Sequence, residues 1–256
     1  MKITLFTADK IRHNYLINLL SNSFDEVFVI QEYFPKVSGI NFHSNIINEY
    51  FNNVNEAEIK IFDNNLKKIN RSNVKILNIN GGDLNNLMIA SNSEYFNSDM
   101  YIVFGSSYIK NDLVNFLIKN HAINIHMGIS PYYRGTDCNF WALFDNNLHL
   151  VGATIHYLSK GLDNGKILYH AMSNVRSNPF DYTMSTVRSA FHSLVERIKN
   201  ESIFRMQSID QDRSKEIRYS KNIEFTEKIL IQFENQKLDM DTFLFNNNLL
   251  IRPFFL

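Results

Sequence analysis

The sequence contains a single cysteine, Cys138, so the chain cannot form an internal disulfide. Proteins of reducing compartments commonly lack disulfides, which favours a cytoplasmic location. The first residues also lack the long apolar segment and cleavage site of a secretory signal peptide. No stretch approaches the ~20 apolar residues that a membrane-spanning helix needs. We therefore expect a soluble, cytoplasmic protein without a membrane partner.

An excess of charge of either sign is also missing. Lysine and arginine together number 26, as do aspartate and glutamate, and the isoelectric point is about 7.1. A protein that holds a long nucleic-acid backbone needs a basic surface, so we expect no nucleic-acid partner. A small phosphate-bearing substrate needs only a few local cations and is compatible with this balance.

Apolar strands alternate with amphipathic helices along the 256 residues. The predicted strands cover residues 2–7, 27–30, 74–79, 100–104, 122–126, 151–158 and 166–171. The predicted helices cover residues 11–20, 43–64, 83–90, 111–119, 137–144 and 181–200. The last two strands are predicted to form a hairpin at the edge of the sheet.

This alternation predicts an α/β fold with a doubly wound, mostly parallel, Rossmann-like sheet. We predict a domain over residues 1–200, and a small extension over 201–256 with a hairpin and a helix as a possible dimer contact. Ligands of such sheets bind beyond the carboxyl ends of the strands, which indicates the loops after Thr7, Phe104 and Ile125. The first of these loops lacks the G-x-G-x-x-G pattern, so no dinucleotide site is predicted.

Chemistry-bearing residues concentrate after residue 122. Asn124 and His126 alternate along a strand end, so their side chains share one face. A loop punctuated by Pro131 and Gly135 follows directly. About forty residues after His126, a tight turn presents the carboxylate of Asp163, which is either a functional group or an ordinary turn residue.

These residues resemble the formyltransferase family, which includes glycinamide ribonucleotide formyltransferase, methionyl-tRNA formyltransferase and the sugar N-formyltransferases. The family pattern is roughly Asn-x-His-x-Ser-Leu-Leu-Pro-x-x-x-Gly, then Gly-x-Thr-x-His, then Leu-Asp-x-Gly. The matching residues are Asn124, His126, Pro131, Gly135, Gly152, Thr154, His156, Leu162, Asp163 and Gly165. The resemblance covers residues 1 to about 200. It departs at residues 127–130, where Met-Gly-Ile-Ser replaces x-Ser-Leu-Leu.

The resemblance implies that Asn124, His126 and Asp163 are the catalytic residues. An amine that attacks a formyl carbon creates an oxyanion and must lose a proton. An amide N–H aimed at the oxyanion is typically worth ~3–4 kcal/mol. A histidine exchanges protons near neutral pH, and a carboxylate can orient the imidazole or order a water molecule. Cys138 is not required, because no covalent enzyme intermediate is needed.

The resemblance also implies 10-formyltetrahydrofolate as the co-substrate and no metal. The folate is expected at Phe104, Gly105, Ser106, Ser107 and Tyr108, with the Asp163 turn closing the site. The loop over residues 131–135 and the segment 139–142 most resemble the sugar N-formyltransferases, so the acceptor is predicted to be a nucleotide-linked amino sugar. The expected nucleotide is dTDP or GDP, the amine stands at C-3 or C-4, and the pathway makes a bacterial surface polysaccharide such as the lipopolysaccharide O-antigen.

Predicted substrate contacts are Arg12, His13, Tyr133, Arg134, Gly135 and Trp141. Arg12 and His13 begin the first predicted helix, whose N-terminus could bind a pyrophosphate; the alternative is a solvated first turn. Trp141 either stacks on substrate or packs its helix, and His156 is interpreted as a core or supporting histidine.

Three other functions stay open. The first is a methionyl-tRNA formyltransferase, which needs a larger and more basic C-terminal domain than the residues after Asn200 provide. The second is a glycinamide ribonucleotide formyltransferase, which opens with a Gly/Ser-rich phosphate loop that this N-terminus lacks. The third is a catalytically silent ligand-binding homologue. A homodimer is a further expectation from the family.

Overall fold

A central sheet organises the molecule. The computed structural model describes residues 1–34, 44–62, 71–89, 91, 93–240 and 245–256. Within these residues, eight strands form one sheet in the order β10-β8-β7-β5-β4-β1-β2-β3, and β6 and β9 form a separate pair. The strands are β1 (Lys2–Ala8), β2 (Glu26–Tyr33), β3 (Val74–Asn80), β4 (Met100–Phe104), β5 (Ile123–His126), β6 (Tyr133–Gly135), β7 (Ala153–Tyr157), β8 (Ile167–Met172), β9 (Arg218–Ser220) and β10 (Phe254–Phe255).

The five strands β5, β4, β1, β2 and β3 run parallel, which confirms the predicted mostly parallel sheet. Only β7 runs antiparallel to its neighbours β5 and β8. The chain winds outward from β1 through β2 to β3 and then returns to β4 on the other side of β1. Strand order therefore reverses between β1 and β4, and a crevice for ligands is expected above their carboxyl ends.

Helices cover both faces of the sheet. They are α1 (Ile11–Ser21), α2 (Asn45–Phe62), α3 (Asn111–Lys119), α4 (Cys138–Phe144), α5 (Pro179–Lys199), α6 (Ser202–Arg205) and α7 (Glu227–Glu234). Consecutive strand residues point to opposite faces. Leu5 accordingly packs in a core with α1, α2 and α5, whereas Phe6 packs in a core with α3.

The start of α5 shows how local sequence sets a boundary. Asn178 is the N-cap, and its side-chain oxygen accepts hydrogen bonds from the backbone N–H groups of Phe180 and Asp181. Pro179 occupies the first helical position, where its missing N–H costs nothing. The helix therefore starts before the predicted residue 181. The predicted helix 43–64 is present as α2, but positions 43, 63 and 64 lie outside the described residues.

Two predictions about elements are wrong. The helix predicted for residues 83–90 is only a short 3₁₀ turn, Asp83–Asn86, and residue 90 lies outside the described part. The Asn85 side chain instead donates a hydrogen bond to the carbonyl oxygen of Tyr108 and accepts one from the N–H of Lys110, as asparagine tends to do in turns. The hairpin of β7 and β8 is present but is not at the sheet edge, because β10 pairs with the outer side of β8.

The C-terminal segment lies against the half of the molecule that contains β6 and α4. Its strand β9 pairs with β6 and not with another C-terminal strand. Its helix α7 joins a second apolar core, in which Phe225 and Phe233 contact Phe140 of α4. The division at residue 200 stays a prediction. None of the helices described is both long and apolar enough to cross a membrane.

Candidate active site

Asn124, His126 and Asp163 converge at the carboxyl end of β5. The Asn124 Nδ2 atom lies 3.3 Å from Asp163 Oδ1 and donates to it. The His126 Nδ1 atom lies 3.4 Å from Asp163 Oδ2. The Asp163 turn connects β7 to β8, and β7 pairs directly with β5, so sheet pairing brings residues 39 positions apart into contact.

His126 is almost fully enclosed, with 7% of its surface exposed. Its Nε2 atom donates to the carbonyl oxygen of Tyr133 at 3.3 Å. Burial lowers the pKa of His126 below its usual 6.5, although the Asp163 carboxylate acts in the opposite direction. Desolvation outweighs the carboxylate, so the imidazole is neutral at pH 7.

Asp163 remains ionised despite its burial. Burial raises the pKa of this carboxyl group, but the charges that the His126 and His156 rings acquire when they are protonated in acid, together with Arg134, outweigh that effect and hold the pKa below the usual value of 3.8. A carboxylate with only 9% of its side chain exposed is thus available beside a neutral imidazole. This pair can exchange a proton through an ordered water molecule or a bound amine.

His156 orients the Asn124 amide. Its Nδ1 atom lies 2.8 Å from the backbone oxygen of Tyr157 and must donate, because a carbonyl only accepts. The neutral ring then leaves Nε2 as an acceptor, 3.0 Å from Asn124 Nδ2. The amide NH₂ group therefore points towards His156 and Asp163. The interpretation of His156 as a supporting residue agrees with this geometry.

The loop after His126 is held by Thr154, another residue of the pattern. The Thr154 hydroxyl donates to Gly128 O at 2.6 Å and accepts from the N–H of Ser130 at 2.8 Å. A Cβ atom on Gly128 would stand 2.7 Å from His126 Nε2 and 2.5 Å from Cys138 Cβ. The glycine that departs from the family pattern thus lets this loop pass directly beside the imidazole.

Arg12 and His13, the predicted phosphate contacts at α1, are bonded to or buried within the protein. Glu58 accepts from the backbone N–H of Arg12 and from its guanidinium, both at 2.8 Å. His13 is buried below the β4–α3 loop, and a Cβ on Gly105 would lie 2.7 Å from its Cε1 atom. Burial, followed by the charges of Arg12 and Lys10, lowers the pKa of His13 well below its usual value. His13 can therefore serve as a neutral hydrogen-bond donor and not as a cation.

The side chains predicted as acceptor contacts after β5 pack within the protein. Tyr133 is buried, and its hydroxyl donates to Asp145 Oδ2 and accepts from Asn147. Gly135 lies against β9, where a Cβ would stand 2.0 Å from the Ser220 oxygen. Trp141 is 2% exposed and lies beneath the guanidinium of Arg218, 4.4 Å from its ring centre.

Arg134 faces the Asp163 turn and does not project into solvent. Its Nη2 atom donates to Leu162 O at 2.9 Å, and its Nη1 atom donates to Glu216 Oε2 at 2.7 Å. Sequence reasoning missed this role, together with that of Gln211, whose amide reaches the same turn. No motif or periodicity marks Gln211, since it belongs to the C-terminal segment.

The predicted folate loop follows β4 at the point where strand order reverses. Gly105 has a positive φ of 63°, which turns the chain sharply after Phe104. The buried carboxylate of Glu32 accepts from the N–H groups of Ser107 at 2.6 Å and of Gly82 at 2.9 Å. The half-exposed Tyr108 donates through its hydroxyl to Lys160 O at 2.7 Å. This loop and the β7–β8 loop, which carries Asp163, therefore adjoin each other.

A cleft of about 700 Å³ lies beside this region, over the carboxyl ends of β2 and β3. Its lining mixes polar and apolar surface and contains no lysine or arginine among the residues that the structure describes; it consists of Asp9, Asn14, Gln31, Tyr33, Ile76, Asn78, Ile79, Asn80 and Asp83. The three catalytic candidates do not line this cleft. The described residues include no group of three or more His, Cys, Asp or Glu side chains arranged to hold a metal ion.

Comparison with known families identifies the family to which the chain belongs. The family model described as formyl transferase matches residues 69–200, which is 132 of 256 residues and includes all three catalytic candidates. The chain belongs to the formyl transferase family. A sequence search of curated proteins found no significant match.

Solved structures with the same fold include a sugar N-formyltransferase from Shewanella, with a TM-score of 0.56 and 16% identity over 91% of this chain and 86% of that one. The formyltransferase PseJ from Anoxybacillus kamchatkensis, solved with UDP-4,6-dideoxy-4-formamido-L-AltNAc and tetrahydrofolate, has a TM-score of 0.51 and 17% identity over 94% and 95%. Glycinamide ribonucleotide transformylase 1 from Symbiobacterium toebii has a TM-score of 0.54 and 13% identity over 83% and 94%. At these identities the likeness establishes the shared fold, and the acceptor has to be argued from this formyltransferase itself.

Proposed function

We propose that this formyltransferase moves a formyl group from 10-formyltetrahydrofolate to the amine of a nucleotide-linked amino sugar, with a dTDP- or GDP-linked 3- or 4-amino-deoxysugar as the expected acceptor. The convergence of Asn124, His126 and Asp163 at the end of β5 carries the proposal. The choice of acceptor is supported by the sugar N-formyltransferase of Shewanella and by the nucleotide sugar bound in PseJ.

The three side chains have complementary tasks in such a transfer. Asn124 donates an N–H to the oxygen that becomes negative when the amine attacks. Its 3.3 Å bond to Asp163 is longer than the 3.0 Å bond to His156, so the hydrogen facing Asp163 is the one available to that oxygen. Asp163 is the anionic base that accepts the amine proton, directly or through water. His126, neutral at pH 7, relays a proton towards the leaving nitrogen.

The residues around Gly105 fit a bound folate. The turn at Gly105 leads the chain away from the sheet, and the adjoining Tyr108 offers an exposed aromatic face beside the Asp163 turn. We infer that the pterin lies between these two loops, in contact with Phe104, Gly105, Ser106 and Tyr108. When bound there, 10-formyltetrahydrofolate supplies the activated one-carbon unit. No metal ion is needed for this step.

The cleft over β2 and β3 is a candidate binding site for the uncharged part of the acceptor. Asp9 and Asp83 would repel a pyrophosphate, whereas the amides of Asn14, Gln31 and Asn78 can hydrogen-bond a nucleobase. The pyrophosphate would then lie nearer the start of α1, where Arg12 must exchange its bond to Glu58 for one to a phosphate oxygen. β2 lies three strands from β5, about 14 Å away at ~4.8 Å per strand, which an extended nucleotide sugar can span.

A transfer assay tests this function. Purified enzyme is incubated with isotope-labelled 10-formyltetrahydrofolate and a panel of dTDP-, GDP- and UDP-linked amino sugars, with glycinamide ribonucleotide as a separate arm and the His126→Ala variant as the control. Label should reach one nucleotide sugar and depend on His126. Transfer only to glycinamide ribonucleotide would refute the acceptor assignment, and transfer to no amine would refute the enzymatic function.

The cellular setting follows from the same proposal. We place the reaction in the cytoplasm, on the route to a bacterial surface polysaccharide such as the O-antigen, without nucleic-acid or membrane partners. A homodimer stays a prediction, which light scattering of the purified protein can check. A mass near the 30.0 kDa of one chain would contradict it.

A further inference from the structure

A short part of the C-terminal segment lies across the turn that carries Asp163. Ile209 forms an antiparallel bridge with Ile167 at the start of β8, through hydrogen bonds of 2.7 and 2.8 Å. This bridge fixes the backbone two residues before Gln211. The Gln211 Nε2 atom then donates to the carbonyl oxygens of Asp163 and Gly165, both at 2.8 Å. Both hydrogens of the amide nitrogen are thus used on one turn.

The turn needs such support because of its backbone conformation. Asp163 has a φ of 47°, in the left-handed region that residues with a side chain rarely occupy. Gly165 lies so close to β7 that a Cβ would stand 1.6 Å from the Tyr157 oxygen. The turn therefore packs closely against β7 on one side and accepts hydrogen bonds from Gln211 on the other.

A second contact from the same segment acts through Arg134. This arginine donates to Leu162 O, and Glu216 of the C-terminal segment holds its guanidinium at 2.7 Å. Gln211 and Glu216 both lie outside the residues 69–200 that the family model matches. The backbone of the Asp163 turn is thus fixed by a part of the chain that contains none of the three catalytic candidates.

We propose that Gln211 is a positioning residue that sets the Asp163 carboxylate relative to Asn124 and His126. The proposal rests on the proposed function, because the carboxylate matters only if formyl transfer uses it. Displacement of a catalytic group by about 1 Å can cost on the order of 10² in rate. Loss of the Gln211 donors should therefore reduce kcat and leave substrate binding largely intact.

The test compares Gln211→Met with Gln207→Met. The first keeps the length of the side chain and removes both N–H donors. The second makes the same exchange at an exposed glutamine of the same segment. We expect Gln211→Met to lower kcat by about tenfold or more, with KM for both substrates within about twofold of wild type. Gln207→Met should match wild type. An unchanged kcat in Gln211→Met, an equal loss in Gln207→Met, or a change in KM alone would overturn the proposal.

A second variant and a substrate-free measurement complete the test. Gln211→Glu keeps length and polarity but, when ionised, offers no donor, so it should lose kcat in the same way even if Gln211→Met folds poorly. In the ligand-free protein, NMR titration of His126 reports the neighbouring charges of Asp163 and Arg134 and the adjacent His156 ring. Since Asp163 supports the protonated imidazole, its displacement should move the His126 titration to lower pH in Gln211→Met and not in Gln207→Met. An unmoved titration would refute the positioning role, whereas an inactive wild type with a moved titration would refute only the proposed function.

Discussion

His170 should make the protein lose stability in acid. The side chain is fully buried in β8. Its Nε2 atom lies 3.0 Å from the carbonyl oxygen of Ser130, so this nitrogen must carry the proton. The backbone N–H of Ile251 donates to its Nδ1 atom at 3.0 Å, so that nitrogen must be bare. Both positions are satisfied only by the neutral ring, and a second proton would face an N–H donor.

The size of the effect follows from the pKa. Burial lowers the pKa of His170 from 6.5 to about 4, and the Ser130 carbonyl only partly opposes this. Because the folded pKa lies below the unfolded one, the unfolded chain binds more protons between these two values, and stability falls as pH falls through that window. The gap of about 2.5 pKa units, at 1.36 kcal/mol each, corresponds to about 3 kcal/mol in total. About 2 kcal/mol of this should be lost by pH 5.

The variant His170→Gln isolates this contribution. Glutamine can donate to Ser130 O and accept from Ile251 N–H, but it does not titrate. Free energies of unfolding are measured by urea denaturation at pH 7.5, 6 and 5 for both proteins. Other buried histidines, including His13 and His126, contribute equally to both, so the difference between the proteins reports His170. The wild type should lose about 2 kcal/mol more than the variant between pH 7.5 and 5. Parallel curves over this range would refute the reasoning.

Three further predictions concern catalysis. Asn124→Ala, His126→Ala and Asp163→Ala should each reduce turnover by at least about 10² while the fold stays intact; near wild-type turnover in folded His126→Ala would remove this residue from the mechanism. Arg12→Ala should raise KM for the nucleotide sugar, whereas Glu58→Gln should lower it by freeing the guanidinium; identical KM values in all three proteins would place the phosphates elsewhere. Because burial depresses the pKa of His126, kcat/KM should fall on the acid side of its pH profile only below pH 6.5. In the residual activity of Asp163→Asn this fall should move to still lower pH. A fall that begins above pH 6.5 would contradict a His126 that is neutral when it acts.

The parts of the fold that sequence reasoning predicted are those with a local signal. Continuous apolar runs marked the buried parallel strands, and helical spacing marked α5. Asn124, His126 and Asp163 were found because residue type, order and spacing together form a recognisable pattern. Their contact geometry depends on the pairing of β5 with β7, which the sequence pattern did not predict.

The parts that could not be predicted depend on contacts between distant segments. Nothing near Gln211 indicates that its amide reaches a turn 48 residues earlier. Arg134 was predicted to contact substrate because its loop resembles that of the sugar N-formyltransferases, and its bonds to Leu162 and Glu216 could not be foreseen from that resemblance. The bond between the Glu58 carboxylate and the first turn of α1 could not be predicted either, because Glu58 belongs to a separate helix, α2.

The buried position of Cys138 has a practical consequence for spectroscopy. Burial raises the pKa of this thiol, the only one in the chain, so it stays protonated and shielded from alkylating reagents at neutral pH. A cysteine introduced on the surface would therefore be the single reactive thiol without removal of the native one. A fluorophore or spin label attached at such a position, for example on the outer side of the β7–β8 loop, can test whether that loop stays in place during turnover in an otherwise unaltered protein.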